Sequence, residues 1–187
     1  MLSQAAALHQ NRLTGNVPGG IGCQEPGGSM ANRSPFIFLS LYKGADGFMS
    51  NDQFAKFYWP FLRDVMVGFI DNGCIPAPFV EGGYNQRLEF ITDLPVGKSL
   101  FIFDRTDMVR AREILGGKSC IGGGIKVSLI LAGTLEQVER ETKKMLDAVK
   151  GDGGYGLGIG TAMDDTRPGT LDAFIRAGRY MANINPL

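Results

Sequence analysis

The sequence predicts an α/β domain built on a parallel sheet with crossover helices. Five short apolar runs of strand length are each followed by a segment in which apolar residues recur at helical spacing. That alternation is typical of parallel sheets, because parallel strands need a long connection between them. The chain of 187 residues, of which 44% are hydrophobic, suits one domain of ordinary size. The periodicity leaves open whether the sheet closes into a barrel or stays open.

The first 34 residues are predicted to form a glycine-rich, irregular N-terminal arm. The motifs PGG, GIG and PGGS follow a short alanine-rich opening there, and no sustained helical or alternating pattern accompanies them. The sheet domain is therefore expected to span residues 35–187.

The first strand and helix of that domain are predicted from an apolar run and from helix caps. The run PFIFLSLY, residues 35–42, is continuous, as expected of a buried strand. A helix follows, with an N-cap at Ser50 and a C-terminal cap at Gly73. We expect Pro60 to kink this helix or to mark its first turns.

Four more strand and helix pairs follow. The strands are predicted at residues 74–80, 98–103, 118–122 and 155–160. The helices after them are predicted at residues 84–93, 107–115, 134–154 and 168–181. Thr134 and Gln137 have the spacing of a capping box at the start of the longest of these helices.

Composition excludes several classes of function. The nineteen basic and nineteen acidic residues cancel, so no basic surface for nucleic acid is expected. No run of about 20 apolar residues could span a bilayer. The three cysteines lack CxxC spacing and His9 is the only histidine, so no standard zinc cluster is indicated. We expect a cytoplasmic protein without a membrane partner.

Four stretches in the domain resemble the uroporphyrinogen decarboxylase superfamily, in the same order and at similar spacing. They are 50-SNDQFAKFYWPFL-62, 101-FIFDRTD-107, 120-CIGGGIKVSLILAGTLEQV-138 and 151-GDGGYGLGIG-160. The resemblance implies a (β/α)8 TIM barrel, with its chemistry at the C-terminal ends of the strands. The five strands here match the last five of eight. The superfamily includes porphyrinogen decarboxylases and zinc-dependent methyltransferases that work with corrinoids.

The resemblance implies a partial barrel. A complete barrel takes about 250 residues and eight strands, so we expect this chain to be a fragment of a longer gene product or an incomplete relative. An open five-stranded sheet would leave two edges unpaired. Self-association, or pairing with strands of a partner, is expected to cover these edges.

The resemblance also shows where catalytic groups of the family are replaced. Decarboxylases carry a serine and a histidine at the positions of Gly44 and Thr161, and their central aspartate falls outside the matched part. The methyltransferases carry a zinc-binding histidine and cysteine at the positions of Phe79 and Glu81. Decarboxylation by this chain alone is therefore not expected. Zinc or a corrinoid is expected only if the protein is a methyltransferase.

Asp104 and Glu81 are the candidate catalytic residues, since the resemblance places both at strand ends. Asp104 could contact substrate, or it or Thr106 could cap the helix that starts near Asp107. Glu81 could ligate a metal through oxygen, or it could be a polar residue bonded to a turn.

Candidate substrate-binding residues lie on the same strand ends. They are Tyr84, Asp104, Arg105, Gly160 and Thr161. Arg105 could bind a carboxylate or phosphate, or form a surface salt bridge with Asp107 or Glu113. Tyr84 begins a polar run through Arg87 that could line a pocket or form a solvated helical turn. Asp164 and Asp165 follow the last strand, where they could serve a catalytic loop or cap the final helix.

Three functions are open at this stage. The first is cofactor-free decarboxylation of a porphyrinogen, and the second is methyl transfer with a corrinoid protein as partner. The third is a non-catalytic binding or assembly subunit. The small-molecule ligand expected from the resemblance is a tetrapyrrole.

Overall fold

The computed structural model describes residues 35–150, 153–161, 163 and 166–181, and it contains the predicted parallel sheet. The strands are β1 (Phe36–Leu41), β2 (Ile75–Val80), β3 (Leu100–Phe103), β4 (Cys120–Ile125) and β5 (Tyr155–Ile159). They lie in the order β1-β2-β3-β4-β5, and every neighbouring pair is parallel. The predicted fold class is confirmed. The predicted arm, residues 1–34, and the pair Asp164 and Asp165 lie outside the described residues.

Helices connect the strands. They are α1 (Trp59–Asp71), α2 (Met108–Leu115), α3 (Val127–Ala132), α4 (Leu135–Val149) and α5 (Thr170–Met181). A short α-helical turn (Asn51–Gln53) and a π-helical turn (Phe54–Tyr58) lead into α1, and a 3-10 turn (Phe90–Thr92) lies between β2 and β3. No helix in the described part of the chain is both long enough and apolar enough to cross a membrane.

The segment that leads into α1 begins with a complete capping box. The Ser50 hydroxyl accepts a hydrogen bond from the Gln53 N–H at 3.1 Å, and the Gln53 side chain accepts one from the Ser50 N–H at 2.9 Å. Pro60 lies in the first turn of α1, as one of the two predictions for it states. Because Pro60 has no N–H, the preceding turn widens, and the Trp59 N–H bonds to Phe54 O.

The prediction of an α-helix over residues 84–93 is wrong. The structure has turns there and only the short 3-10 helix. The backbone bonds span three residues, from the Arg87 N–H to Tyr84 O and from the Phe90 N–H to Arg87 O. The Gln86 N–H instead donates to the Asp46 carboxylate at 3.2 Å. The bonds of this segment are therefore those of tight turns, held in part by a contact to the loop after β1.

The region between the fourth strand and the long helix also differs from its prediction. β4 runs on to Ile125, and α3 was not predicted at all. Gly123 and Gly124 have φ of +87° and +86°, a backbone conformation that glycine adopts readily and other residues rarely adopt. The long helix has the predicted capping box at Thr134 and Gln137, and it ends at Val149.

One face of the sheet packs against helices, and the core lies between the two layers. Strand residues Leu41, Val80, Phe101, Phe103 and Ile121 share a buried cluster with side chains of α1 and α2. A second cluster joins the end of β4 to α3, α4 and α5. The opposite face is exposed at β1, where Phe38 is 60% accessible and stacks only loosely on Phe79.

Candidate functional site

The C-terminal ends of the strands meet at one edge, because all five strands are parallel. In barrels and open parallel sheets, ligands bind at that edge. We call the residues that follow β2, β3 and β5 there the carboxyl edge. It consists of Glu81, Asp104, Arg105, Gly160 and Thr161.

Asp104 is held firmly at the carboxyl edge. Its N–H donates to Val80 O at 3.3 Å, and its carboxylate accepts a bond from the Gly82 N–H at 3.3 Å. Its side chain is only 13% exposed, whereas that of the neighbouring Arg105 is 77% exposed. The carboxylate is therefore fixed against the loop after β2 but still reaches solvent.

Neither Asp104 nor Thr106 caps the following helix. The cap of α2 is Asp107, whose carboxylate accepts bonds from the N–H groups of Val109 and Arg110 at 3.0 and 3.2 Å. The Thr106 hydroxyl instead accepts a bond from the Tyr84 N–H at 3.0 Å. The alternative in which Asp104 or Thr106 caps α2 is therefore wrong.

Arg105 forms an ion pair with Asp104, at 3.3 Å from Nε to Oδ2. This pairing differs from the predicted salt bridges with Asp107 or Glu113. Because the guanidinium is largely exposed, solvent screens the pair, and little free energy holds the side chain in place. Arg105 is thus free to turn towards an anionic ligand.

Gly160 brings the end of β5 against the end of β3. A Cβ atom at Gly160 would overlap Phe103 O and the Cα atom of Asp104. Thr161 follows directly and is partly exposed. Three predicted site residues from two strand ends therefore lie together.

Glu81 joins the carboxyl edge from the β2 side. Its N–H donates to Leu41 O at 3.3 Å, and the next residue, Gly82, is the one bonded to Asp104. Glu81 is partly buried. Among the residues that the structure describes, no group of three His, Cys, Asp or Glu side chains converges. The described side chains therefore do not fit a zinc site of the usual three or four protein ligands.

Tyr84 lies below the carboxyl edge and has no exposed surface. Its ring meets the Phe54 ring edge to face at 6.0 Å, and a Cβ atom at Gly44 would overlap its hydroxyl. The hydroxyl therefore fills the space into which a serine at position 44 would project. Burial raises the pKa of both Tyr84 and its neighbour Tyr58. A contact between Tyr84 and a ligand stays a prediction.

Arg87 is a structural residue that the sequence did not reveal. It is fully buried, and its guanidinium stacks on the Phe54 ring at 4.8 Å. It donates to Gly44 O at 3.2 Å, to Met49 O and to the Asn51 side chain. Arg87 thereby fixes the loop after β1. Two of these acceptors are backbone carbonyls, and no pattern of residue types in a sequence indicates such partners. From its place in a polar run, Arg87 was therefore expected only to line a pocket or to lie in a solvated turn.

The chain is similar in sequence to proteins of one family. The family model for uroporphyrinogen decarboxylase (URO-D) matches residues 37–180. A curated uroporphyrinogen decarboxylase from Syntrophotalea carbinolica is 25% identical over 137 residues, which cover 73% of this chain and 39% of that protein. The chain thus spans about two-fifths of the length of this relative.

A solved methyltransferase structure from Methanosarcina mazei is similar in fold. The TM-score is 0.63 at 18% identity, and the match covers 79% of this chain and 42% of the methyltransferase. At this identity the likeness concerns the fold alone. It agrees with a partial barrel.

Proposed function

The chain belongs to the uroporphyrinogen decarboxylase family, and from this premise we propose that its carboxyl edge forms part of a tetrapyrrole-binding site. The observation that carries the proposal is the position of Asp104. Its carboxylate is fixed by the Gly82 N–H at 3.3 Å and is not used to cap a helix, and its backbone lies against Gly160 from another strand.

The chemistry of a reduced tetrapyrrole suits this arrangement. Pyrrole N–H groups face the centre of the macrocycle, and carboxylate side chains surround it. The carboxylate oxygens of Asp104 can accept hydrogen bonds from such N–H donors. Arg105 can exchange its exposed pair with Asp104 for a carboxylate of the ligand, because an arginine binds carboxylates through two parallel bonds.

The reaction that we propose for the complete site is cofactor-free loss of carbon dioxide from a porphyrinogen. This chain carries Gly44 and Thr161 where the resemblance expects serine and histidine, and it spans about two-fifths of the curated relative. We therefore expect the chain to bind the ligand without turning it over. In this proposal the protein acts in the cytoplasm and binds its small-molecule ligand there.

Methyl transfer with a corrinoid protein is the alternative reaction, and the described residues do not favour it. A zinc-dependent transfer needs converging ligands, and none of the described groups supplies three. Metal analysis of the purified protein separates the two. The decarboxylase-type proposal predicts no stoichiometric zinc, and one zinc per chain would favour methyl transfer.

The test of the proposal is a fluorescence titration with uroporphyrin, the stable oxidised form of the ligand class. We expect saturable binding that weakens about 10- to 100-fold in Asp104→Asn, since a hydrogen bond to a charged group contributes about 1.5–3 kcal/mol. Asp172→Asn, on the exposed surface of α5, is the matched control and should bind as the wild type does.

Two results would contradict the proposal: an absence of saturable binding, or equal affinity in the wild type and Asp104→Asn. Chromatography of uroporphyrinogen after incubation reports turnover separately. Binding without loss of carbon dioxide is the expected combination for this chain. If a longer barrel containing it also binds without turnover, the non-catalytic binding subunit becomes the better description.

A further inference from the structure

The loop after β1 carries an exposed aromatic ring with a cation beside it. We call residues 42–49 the β1 loop. Phe48 is 56% exposed, and the Lys43 ammonium lies over its ring, 4.7 Å from the centroid. The face of an aromatic ring attracts an ammonium, which favours this arrangement of the two side chains. The β1 loop therefore presents a flat apolar surface and a positive charge at one point.

An open cleft of about 340 Å³ lies beside the Phe48 ring. We call it the Phe48 cleft, and its lining residues are Phe48, Met49, Gln53, Phe57 and Tyr58. Its walls are supported from within the protein. The Tyr58 ring stacks on the buried Phe54 ring at 5.3 Å, and the buried Arg87 donates to Met49 O. A mainly apolar lining with a few polar groups is typical of small-molecule sites.

The β1 loop packs directly against the loop that holds Asp104. The Asp46 N–H donates to Gly83 O at 2.7 Å, and a Cβ atom at Gly82 would lie 3.1 Å from that of Ala45. Gly82 is itself the residue whose N–H donates to the Asp104 carboxylate. Only β2 separates β1 from β3, so the ends of these two strands are about 10 Å apart. The cleft is therefore close to the carboxyl edge.

The charges of the β1 loop suit an anionic ligand. Asp46 is the acidic residue of this loop, and its carboxylate is turned inward. It accepts a bond from the Gln86 N–H at 3.2 Å and lies 3.9 Å from the Arg87 guanidinium. Lys43, in contrast, is exposed to solvent. The charge that this loop presents to a ligand is therefore positive.

We propose that the Phe48 cleft is a second subsite for the tetrapyrrole, in which Phe48 stacks on an outer pyrrole ring and Lys43 binds a carboxylate of that ring. The inference rests on the proposed function and deepens it. A pyrrole ring offers a flat face for stacking, and each pyrrole ring of uroporphyrin carries carboxylate side chains. A macrocycle whose N–H groups face Asp104 extends beyond that residue on all sides, so one of its outer rings reaches the β1 loop. A purely apolar occupant would gain nothing from Lys43.

Titration of variants with uroporphyrin, followed by fluorescence, tests the subsite. Lys43→Gln and Phe48→Ala should each bind about 5- to 10-fold more weakly than the wild type. Lys43→Arg keeps the charge and should bind within about 2-fold of the wild type. The matched controls are Lys118→Gln and Val96→Ala, which alter exposed residues at the opposite end of the sheet. Both should bind as the wild type does, and circular dichroism checks that each variant is folded.

The dependence of binding on salt gives an independent measurement. Added salt should weaken uroporphyrin binding by the wild type more than binding by Lys43→Gln, because salt screens the charge that this variant lacks. Equal salt dependence in the two proteins would contradict a contact between Lys43 and a carboxylate.

The two proposals fail in different ways. If Asp104→Asn binds weakly while Lys43→Gln and Phe48→Ala bind as their controls do, the subsite is overturned and the proposed function stands. The reverse pattern supports the subsite and overturns the role of Asp104. A wild type without saturable binding overturns both.

Discussion

Tyr84, in the core, and Tyr155, partly buried beside it, differ in what their hydroxyl groups contribute. The Tyr155 hydroxyl donates to Gly123 O at 2.8 Å. The Tyr84 hydroxyl is buried beside Tyr58 but has no hydrogen bond of good geometry. A buried polar group without a partner costs free energy, whereas a buried bonded one contributes modestly to stability. The same chemical group therefore has opposite effects at the two positions.

Replacing each tyrosine by phenylalanine should separate these effects. Tyr155→Phe is expected to lower the free energy of unfolding by about 1 kcal/mol, since it removes a hydrogen bond. Tyr84→Phe should leave that free energy unchanged or raise it by up to about 1 kcal/mol. Urea denaturation at neutral pH measures both. An equal loss in the two variants would show that Tyr84 is bonded after all.

The two tyrosines should also make the stability of the protein depend on pH in the alkaline range. Burial raises the pKa of Tyr84 and of Tyr155 above the value of about 10 that tyrosine has in an unfolded chain. Their contribution is complete below pH ~10 and is lost above it, because the unfolded chain then releases protons that the folded protein retains. Each tyrosine steepens the fall in stability by up to about 1.4 kcal/mol per pH unit. Tyr84→Phe should flatten it, and an unchanged slope would argue against a raised pKa.

Arg87 and Asp104 mark the limits of sequence reasoning for single residues. Asp104 could be found because it ends an apolar run within a stretch that resembles a known family. Its alternative role as a helix cap could be dismissed only from the structure, where Asp107 holds that position. The importance of Arg87 depends on backbone carbonyl groups that lie 38 and 43 residues away in sequence, and local pattern carries no such information.

Among the elements, β5 shows how glycine determines the approach of one strand end to another. Gly158 and Gly160 are two residues apart, and neither has a positive φ. A Cβ atom at Gly158 would meet its nearest neighbour at 3.7 Å, which is ordinary contact. At Gly160 the same atom would overlap backbone atoms of Phe103 and Asp104, which cannot move aside like a side chain.

The pair Gly158→Ala and Gly160→Ala therefore forms a matched test. Gly160→Ala should lower the free energy of unfolding by about 1–3 kcal/mol through overpacking, and should weaken uroporphyrin binding because Asp104 is displaced. Gly158→Ala should change stability by less than about 1 kcal/mol. Urea denaturation and the porphyrin titration provide the measurements. Equal behaviour of the two variants would contradict the close approach of β5 to β3.

Helices and strands could be predicted from the sequence wherever residues close in sequence determine them. Strands with continuous apolar runs and helices with capping boxes, such as those at Ser50 and Thr134, are set by neighbouring residues. The segment after β2 was not, because its turns depend on contacts with distant residues, such as the bond from the Gln86 N–H to Asp46, 40 residues earlier. α3 was missed because it is a short apolar helix after a glycine run, and its N-cap, Lys126, offers no side-chain bond.

At the scale of the whole molecule, the described residues form a five-stranded parallel sheet with one apolar face covered by helices. The order and direction of its strands follow from five local patterns joined by crossovers, so the fold class was predictable. Barrel closure was not, since it depends on the number and register of all strands. The chain spans about two-fifths of its curated relative, and family membership came from four collinear motifs rather than from any single one.

At this scale the central claim is that the ligand binds at the carboxyl edge. Amide hydrogen exchange with and without uroporphyrin tests it most directly. We expect slower exchange in residues 81–83, 104–106 and 160–161, and no change in residues 95–99 and 116–119, which precede β3 and β4 at the opposite end of the sheet. Protection confined to that opposite end, or no protection anywhere, would contradict the account.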